Sequence, residues 1–158
     1  MVPEVRGSII VEMMLVVTAL LALMAAPVSL TFTTAASAAS VKPGQRVTLF
    51  VDVTPKPKMH VYAPGAKDYL PIALELNSPG VKAGALTYPK AQDWYFEPLK
   101  EHVPVYEMPF RLTQDVTIGA DVTPGTLIVT GVLKYQACDD VICYNPVNAP
   151  VSWTISVK

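Results

Sequence analysis

The chain has 158 residues and a net charge of −1, with 12 basic and 13 acidic residues spread along it and no run of either sign. A chain of this length holds one core and little else, because independent domains settle at about 100 to 150 residues. Its charge pattern lacks the footprint of a nucleic-acid or anionic-membrane partner.

The first element is apolar. After Arg6 the chain runs Ile9-Ile10-Val11 and then Met13 to Ala26 with no charge beyond Glu12, ending in the small residues Ala35-Ala36-Ser37-Ala38-Ala39. A basic start, an apolar core and a small-x-small site describe a secretory signal peptide, with cleavage expected after Ala38. The alternative is an uncleaved anchor, since Met13 to Leu30 approaches the ~18 apolar residues that begin to span a membrane. Pro27 and the polar residues from Ser29 to Thr34 count against the anchor. Either way Arg6 stays in the cytoplasm and the remainder lies outside, so the expected location is periplasmic or extracytoplasmic. The expected organisation is a leader over 1–38 and one domain over 39–158.

Beyond the leader the apolar pattern has period two and is broken every ten or so residues by Pro and Gly, as short strands and tight turns require. Val47, Leu49, Val51 and Val53 alternate with Thr48, Phe50 and Asp52; Ile72, Leu74 and Leu76 form a second set, and Tyr106, Met108, Phe110 and Leu112 a third. Two final strands are predicted over Leu127 to Gln136 and Val151 to Val157, the last with Val151, Trp153, Ile155 and Val157 on one face. Turns are predicted at Pro43-Gly44, Pro64-Gly65, Ser78-Pro79-Gly80, Thr123-Pro124-Gly125 and Asn145-Pro146. With 15 prolines and no helical spacing over three turns, the fold class is all-β: an immunoglobulin-like β-sandwich preceded by a signal peptide or anchor.

The two cysteines, Cys138 and Cys143, lie between those last two strands. If the flanking segments pair as a hairpin, a disulfide is within reach. Three readings stand: a structural staple, a redox pair and a metal site. A staple here is inefficient, because closing a loop of about six residues gives roughly 2 kcal/mol against about 4.7 for a 100-residue loop. Asp139 and Asp140 disfavour a thiolate beside them, so a redox pair in this setting reacts slowly alone and depends on a partner's low-pKa thiol. For copper, a cupredoxin-like sandwich needs a Cys-to-His-to-Met spacing, and neither His nor Met follows Cys143. Met59-His60 and the segment from His102 to Met108 still offer ligands, but His60 and His102 are better read as surface or hydrogen-bonded structural residues. No metal site is expected. The run Trp94-Tyr95-Phe96 is neither alternating nor helical and is read as a loop, either folded into the core or acting as a flap over a reactive group.

The block Tyr135-Gln136-Ala137-Cys138 to Cys143-Tyr144-Asn145-Pro146, with Val41-Lys42-Pro43-Gly44-Gln45, Tyr88-Pro89-Lys90 and Pro124-Gly125-Thr126, resembles the N-terminal periplasmic domain of the thiol:disulfide interchange protein DsbD over about Ser40 to Lys158. That resemblance implies a sandwich carrying a redox pair, Cys138 and Cys143, with Cys143 forming the mixed disulfide. Trp94, Tyr95 and Phe96 then form the cap loop, Phe96 being the shielding ring, while Tyr135, Asp139, Asp140 and Tyr144 flank the site. It further implies a thiol–disulfide oxidoreductase without bound cofactor, taking electrons from a membrane-embedded reductant and passing them to thioredoxin-fold proteins of the periplasm. Four residues separate the cysteines here against five in the founding member, which alters the local bulge. DsbD itself continues into a transmembrane carrier and a thioredoxin-like domain, so the donor is expected to act in trans. The competing reading is a non-catalytic adaptor sandwich with a structural disulfide.

Overall fold

Period-two burial marks the longest strands of this chain. A computed structural model describes residues 29–158, and the apolar leader core, with the choice between signal peptide and anchor, lies outside them. Strand β3 (Arg46–Pro55) buries Val47, Leu49, Val51 and Val53, and β12 (Val147–Val157) buries Val151, Trp153, Ile155 and Val157. One sheet has the order β1-β3-β9-β6, adding β1 (Leu30–Ala36), β9 (Phe110–Ile118) and β6 (Val81–Thr87). The second has the order β2-β12-β10-β5, with β2 (Ser40–Val41), β10 (Gly125–Tyr135) and β5 (Ala73–Leu76). Their inner faces share one core that includes Leu49, Leu112, Val129, Leu133, Trp153 and Ile155. Trp153 ties the layers, its indole N–H donating to the carbonyl of Phe50 at 3.1 Å. The domain is therefore an all-β, immunoglobulin-like sandwich.

A third, smaller sheet, ordered β11-β4-β8-β7, carries the cysteine segment. Its strands are β4 (His60–Tyr62), β7 (Gln92–Phe96), β8 (Glu101–Tyr106) and β11 (Ala137–Cys138). Three predicted Pro-Gly turns close in the same way: Gln45 donates to Lys42, Ala66 to Ala63 and Val81 to Ser78, over 3.1 to 3.3 Å. In each, proline presets the second residue and Gly44, Gly65 or Gly80 takes the positive φ that the third position demands. No helix occurs among the described residues, and none of them forms a span long and apolar enough to cross a membrane.

Three expectations change. The segment from Tyr106 to Leu112 is not one strand: β8 ends at Tyr106, β9 begins at Phe110, and the chain passes there from the small sheet to the sandwich. Pro109, which has no N–H for a ladder, marks the break, and Met108 between the strands is exposed. Trp94-Tyr95-Phe96 is not a loop but the end of β7, paired with β8 from Gln92↔Val105 to Phe96↔Glu101. Strand pairing also begins before Ala39, inside the span read as leader. Residues Leu30 to Ala36 pair along β3 from Leu30↔Pro55 to Ala36↔Leu49, and Leu30 is buried in the core. The β-branched and aromatic run Thr31-Phe32-Thr33-Thr34, read as the polar end of a leader, is a strand with half-buried Phe32 on its inner face.

Candidate functional site

The cysteines are placed by two adjoining elements. After β10 the chain enters β11, where Ala137↔Val61 and Cys138↔His60 pair with β4. Alternation sends Val61 and Ala137 into the sandwich core and leaves Cys138 and Tyr62 in a second apolar cluster with Val103 and Val105. The chain then reverses over Asp139 to Ile142: the Asp139 N–H donates to the Ile142 carbonyl and the Tyr144 N–H to the Ala137 carbonyl, both at 2.9 Å. That tight hairpin sets Cys143 opposite Cys138, and the two are joined as a disulfide. Neither cysteine remains free.

Asp139 holds the tip. One carboxylate oxygen accepts the N–H groups of Val141 and Ile142, each at 2.8 Å, and the other accepts the Tyr144 hydroxyl at 2.9 Å. These donors, led by the Ile142 and Val141 amides, hold its carboxyl below the usual carboxylate range, and the same bond raises the Tyr144 phenol. Asp139 is thus a charged loop clasp as well as a neighbour of the sulfurs, a role its place in the sequence did not reveal. Asp140 beside it is exposed.

The two sulfur-bearing residues differ in access. Cys138 is 1% exposed, whereas Cys143 is exposed on the hairpin with Val141 and Ile142, which are 87% and 53% exposed. Over the bridge lies a shallow cleft of about 80 Å³, lined by His60, Tyr62, Tyr69, Trp94 and Phe96 together with the loop from Cys138 to Cys143. Its rings form a rack: Tyr69 stacks on Tyr62 at 4.2 Å, His60 meets Tyr62 edge-on at 5.4 Å and Trp94 at 4.6 Å, and Trp94 stacks on Phe96 at 5.2 Å. The Tyr62 hydroxyl lies 3.6 Å from Cys143 Sγ, and because a bridged sulfur has no proton, tyrosine is the donor. Burial, then the nearby Glu101 carboxylate, raises the Tyr62 phenol. Tyr69 donates to Glu101, and this hydrogen bond pushes its phenol up to about 12.

Among the sequence-selected residues, Cys138, Cys143, Asp139, Asp140, Trp94 and Phe96 meet at this cleft, and Tyr144 supports it through Asp139. Two do not. Tyr95 points to the other face of β7, with its ring 5.0 Å from His102, since alternate residues of a strand face opposite ways. Tyr135 packs in the sandwich core and does not line the cleft, because it shares the inner face of β10 with Leu133. His102 is exposed and pairs with Asp93 at 2.8 Å, as a surface residue does. His60 is neither surface nor hydrogen-bonded at Nε2: it is 2% exposed, and that nitrogen has no partner. Tyr62, Tyr69 and Glu101 were not singled out in the sequence: Tyr62 lies on the three-residue strand β4, which shows no readable period, Tyr69 lies outside any strand, and Glu101 begins β8.

The fold has solved counterparts. The N-terminal periplasmic domain of ScsB from Proteus mirabilis matches with a TM-score of 0.57 at 12% identity, covering 84% of this chain, which spans about half (49%) of that one. The reduced N-terminal domain of DsbD from Neisseria meningitidis matches with a TM-score of 0.51 at 17% identity, over 85% of this chain and 95% of that one. At such identities the likeness is one of fold. No curated protein sequence matches the chain. The family model "Thiol:disulfide interchange protein DsbD, N-terminal" matches residues 28–152, and the chain belongs to that family.

Proposed function

We propose that this chain is an extracytoplasmic thiol–disulfide exchange domain that relays electrons through Cys138 and Cys143, from a membrane-embedded reductant acting in trans to exported thioredoxin-fold proteins. One observation carries the reading: the bridge joins Cys143, a residue exposed on the hairpin, to Cys138, which is 1% exposed. Family membership and the apolar leader support the chemistry and the compartment. A relay of this kind carries its electrons as a dithiol and uses no bound cofactor.

In the loading step a donor thiolate attacks Cys143 Sγ, the Cys138–Cys143 bond breaks, and the electron pair leaves on Cys138 Sγ. The donor's second thiolate then attacks its own sulfur in the mixed disulfide, freeing Cys143 and leaving the domain as a dithiol. In the delivery step the Cys143 thiolate attacks an oxidised partner, and Cys138 attacks Cys143 Sγ to reform the bridge and release the reduced partner. Trp94 and Phe96 act as the cap on the cleft, Tyr62 supports Cys143 Sγ, and Asp139 with Tyr144 holds the hairpin that aims it.

The test is mixed-disulfide trapping. A Cys138→Ser chain incubated with an oxidised thioredoxin-fold protein should accumulate a covalent adduct through Cys143, and a Cys143→Ser chain should not. A bridge with a potential below about −300 mV that stays inert to reduced thioredoxin-fold proteins would overturn the proposal in favour of a staple. An adaptor would bind its partner equally well after both cysteines become serine.

A further inference from the structure

Attack at Cys143 leaves its electron pair on Cys138, a sulfur that is 1% exposed among Tyr62, Val103 and Val105. A thiolate in such a place is costly unless something donates to it. The cluster offers few donors, and the Tyr62 hydroxyl is directed at Cys143 rather than Cys138.

His60 is the cross-strand partner of Cys138, and directly opposed residues of an antiparallel pair project from the same face with Cβ atoms about 4.5–5.5 Å apart. Both line the same cleft. The imidazole is 2% exposed and held between Trp94 and Tyr62, yet its Nε2 is buried with no hydrogen-bond partner. Leaving a buried polar atom unpaired is unfavourable and rare in folded proteins. We propose that His60 is built for the opened bridge, where its Nε2–H donates to the Cys138 thiolate once that side chain is free to turn about its Cα–Cβ bond.

The step balances without any further reagent. The incoming thiolate forms the bond to Cys143 Sγ, the bond to Cys138 Sγ breaks, and the departing pair is stabilised by a hydrogen bond rather than by a transferred proton. Burial keeps the imidazole below its ordinary range, while the carboxylates of Glu107, Asp140 and Asp139 act in the opposite sense. The other titratable groups around the ring are Tyr62 on its own strand and Lys58 in the preceding turn, which lines an adjoining cleft. The ring is therefore neutral in the bridged protein at neutral pH, and the appearance of a thiolate beside it should raise its pKa.

This inference rests on the proposed exchange at the bridge, and its test reads the His60–Cys138 pair separately from that exchange. In a Cys143→Ser chain, which holds Cys138 as a free thiol, thiolate absorbance at 240 nm is followed against pH. Adding His60→Phe should lower the thiolate fraction at a fixed pH by roughly tenfold or more, the effect of losing a hydrogen bond to a charged group. His60→Gln, which keeps a donor, should recover part of it. The His60 imidazole, followed by NMR in the unsubstituted chain, should titrate higher in the reduced than in the bridged state. Identical thiol titrations with and without His60, or an imidazole pKa indifferent to the redox state, would overturn the assignment. The imidazole measurement needs no substitution and stands even if His60→Phe fails to fold. If the bridge is inert to every thioredoxin-fold partner while the two titrations are coupled, the exchange reading fails and the His60–Cys138 contact survives.

Discussion

A chain beginning at Ala39, as cleavage after Ala38 would leave it, lacks β1, and its stability measures whether that strand belongs to the domain. Deleting residues 29–38 strips the seven-residue pairing from β3 and removes Leu30, which is 3% exposed, together with half-buried Phe32. A fully buried Leu contributes about 2 kcal/mol and a half-buried Phe about 1 kcal/mol, if the lost backbone bonds and the ordering entropy of the strand are taken as offsetting. A loss of about 3 kcal/mol is a large part of the 5–15 kcal/mol typical of a domain, and at this size it lowers Tm by about 10–15 °C. Urea and thermal unfolding of oxidised chains starting at Ser29 and at Ala39 give the comparison directly. The shorter chain also exposes the edge of β3 and should aggregate more readily. Equal midpoints for the two chains would refute the reasoning and return residues 29–38 to the leader.

Other consequences concern the cleft. Phe96→Ala, which thins the cap beside Trp94, should speed the reaction of the reduced pair with a small oxidant such as hydrogen peroxide severalfold, and an unchanged rate would remove the shielding role. Ile142→Asp places a charge on the exposed hairpin tip, so exchange with a thioredoxin-fold protein should slow about fivefold to tenfold while reduction by dithiothreitol is unaffected. Parallel slowing of both reactions would instead indicate damage to the bridge geometry. For Asp139, whose pKa is lower in the folded chain, stabilisation of the hairpin is present above the unfolded carboxylate value of about 4 and is lost as pH falls through the folded value. Amide shifts of Val141 and Ile142 should therefore move together in acid, and an Asp139→Asn chain should show neither the transition nor the Tyr144 bond.

Long strands were legible because one face of each is buried: the alternation in β3 and β12 maps directly onto core and surface. The bridge and its hairpin were likewise legible from two cysteines set between the last two strands. What escaped is the third sheet, whose strands β4 and β11 have three and two residues, too few for a period to appear. Trp94-Tyr95-Phe96 misled for a related reason. On an edge strand beside a cleft, aromatic rings serve both faces, Trp94 and Phe96 inward and Tyr95 outward against His102, so apolar character does not alternate. Leu30 to Ala36 misled differently, because only Pro27-Val28-Ser29 separates the apolar leader core from a threonine-rich edge strand, and the small residues that follow match a cleavage site. Pairing across sheets is a tertiary fact: nothing local sets His60 opposite Cys138 when 77 intervening residues belong to other strands.

The placement of the bridge bears on how a relay survives its own cycle. A disulfide closing a loop of about six residues contributes roughly 2 kcal/mol, and the hairpin it closes is already held by the Tyr144-to-Ala137 and Asp139-to-Ile142 backbone bonds. The sandwich core, with Leu49, Leu112, Leu133, Trp153 and Ile155, takes only Ala137 from the cysteine-bearing strand β11 and contains neither cysteine. Opening the bridge therefore removes about 2 kcal/mol of local loop closure, less than a bridge between distant strands would, and leaves the scaffold of the site intact. A bridge joining distant strands would have made redox state and folding state the same variable. Here they are separable, so the free energy of each exchange is set by the local surroundings of two sulfurs: an exposed Cys143 under the Tyr62 hydroxyl and a buried Cys138 opposite His60.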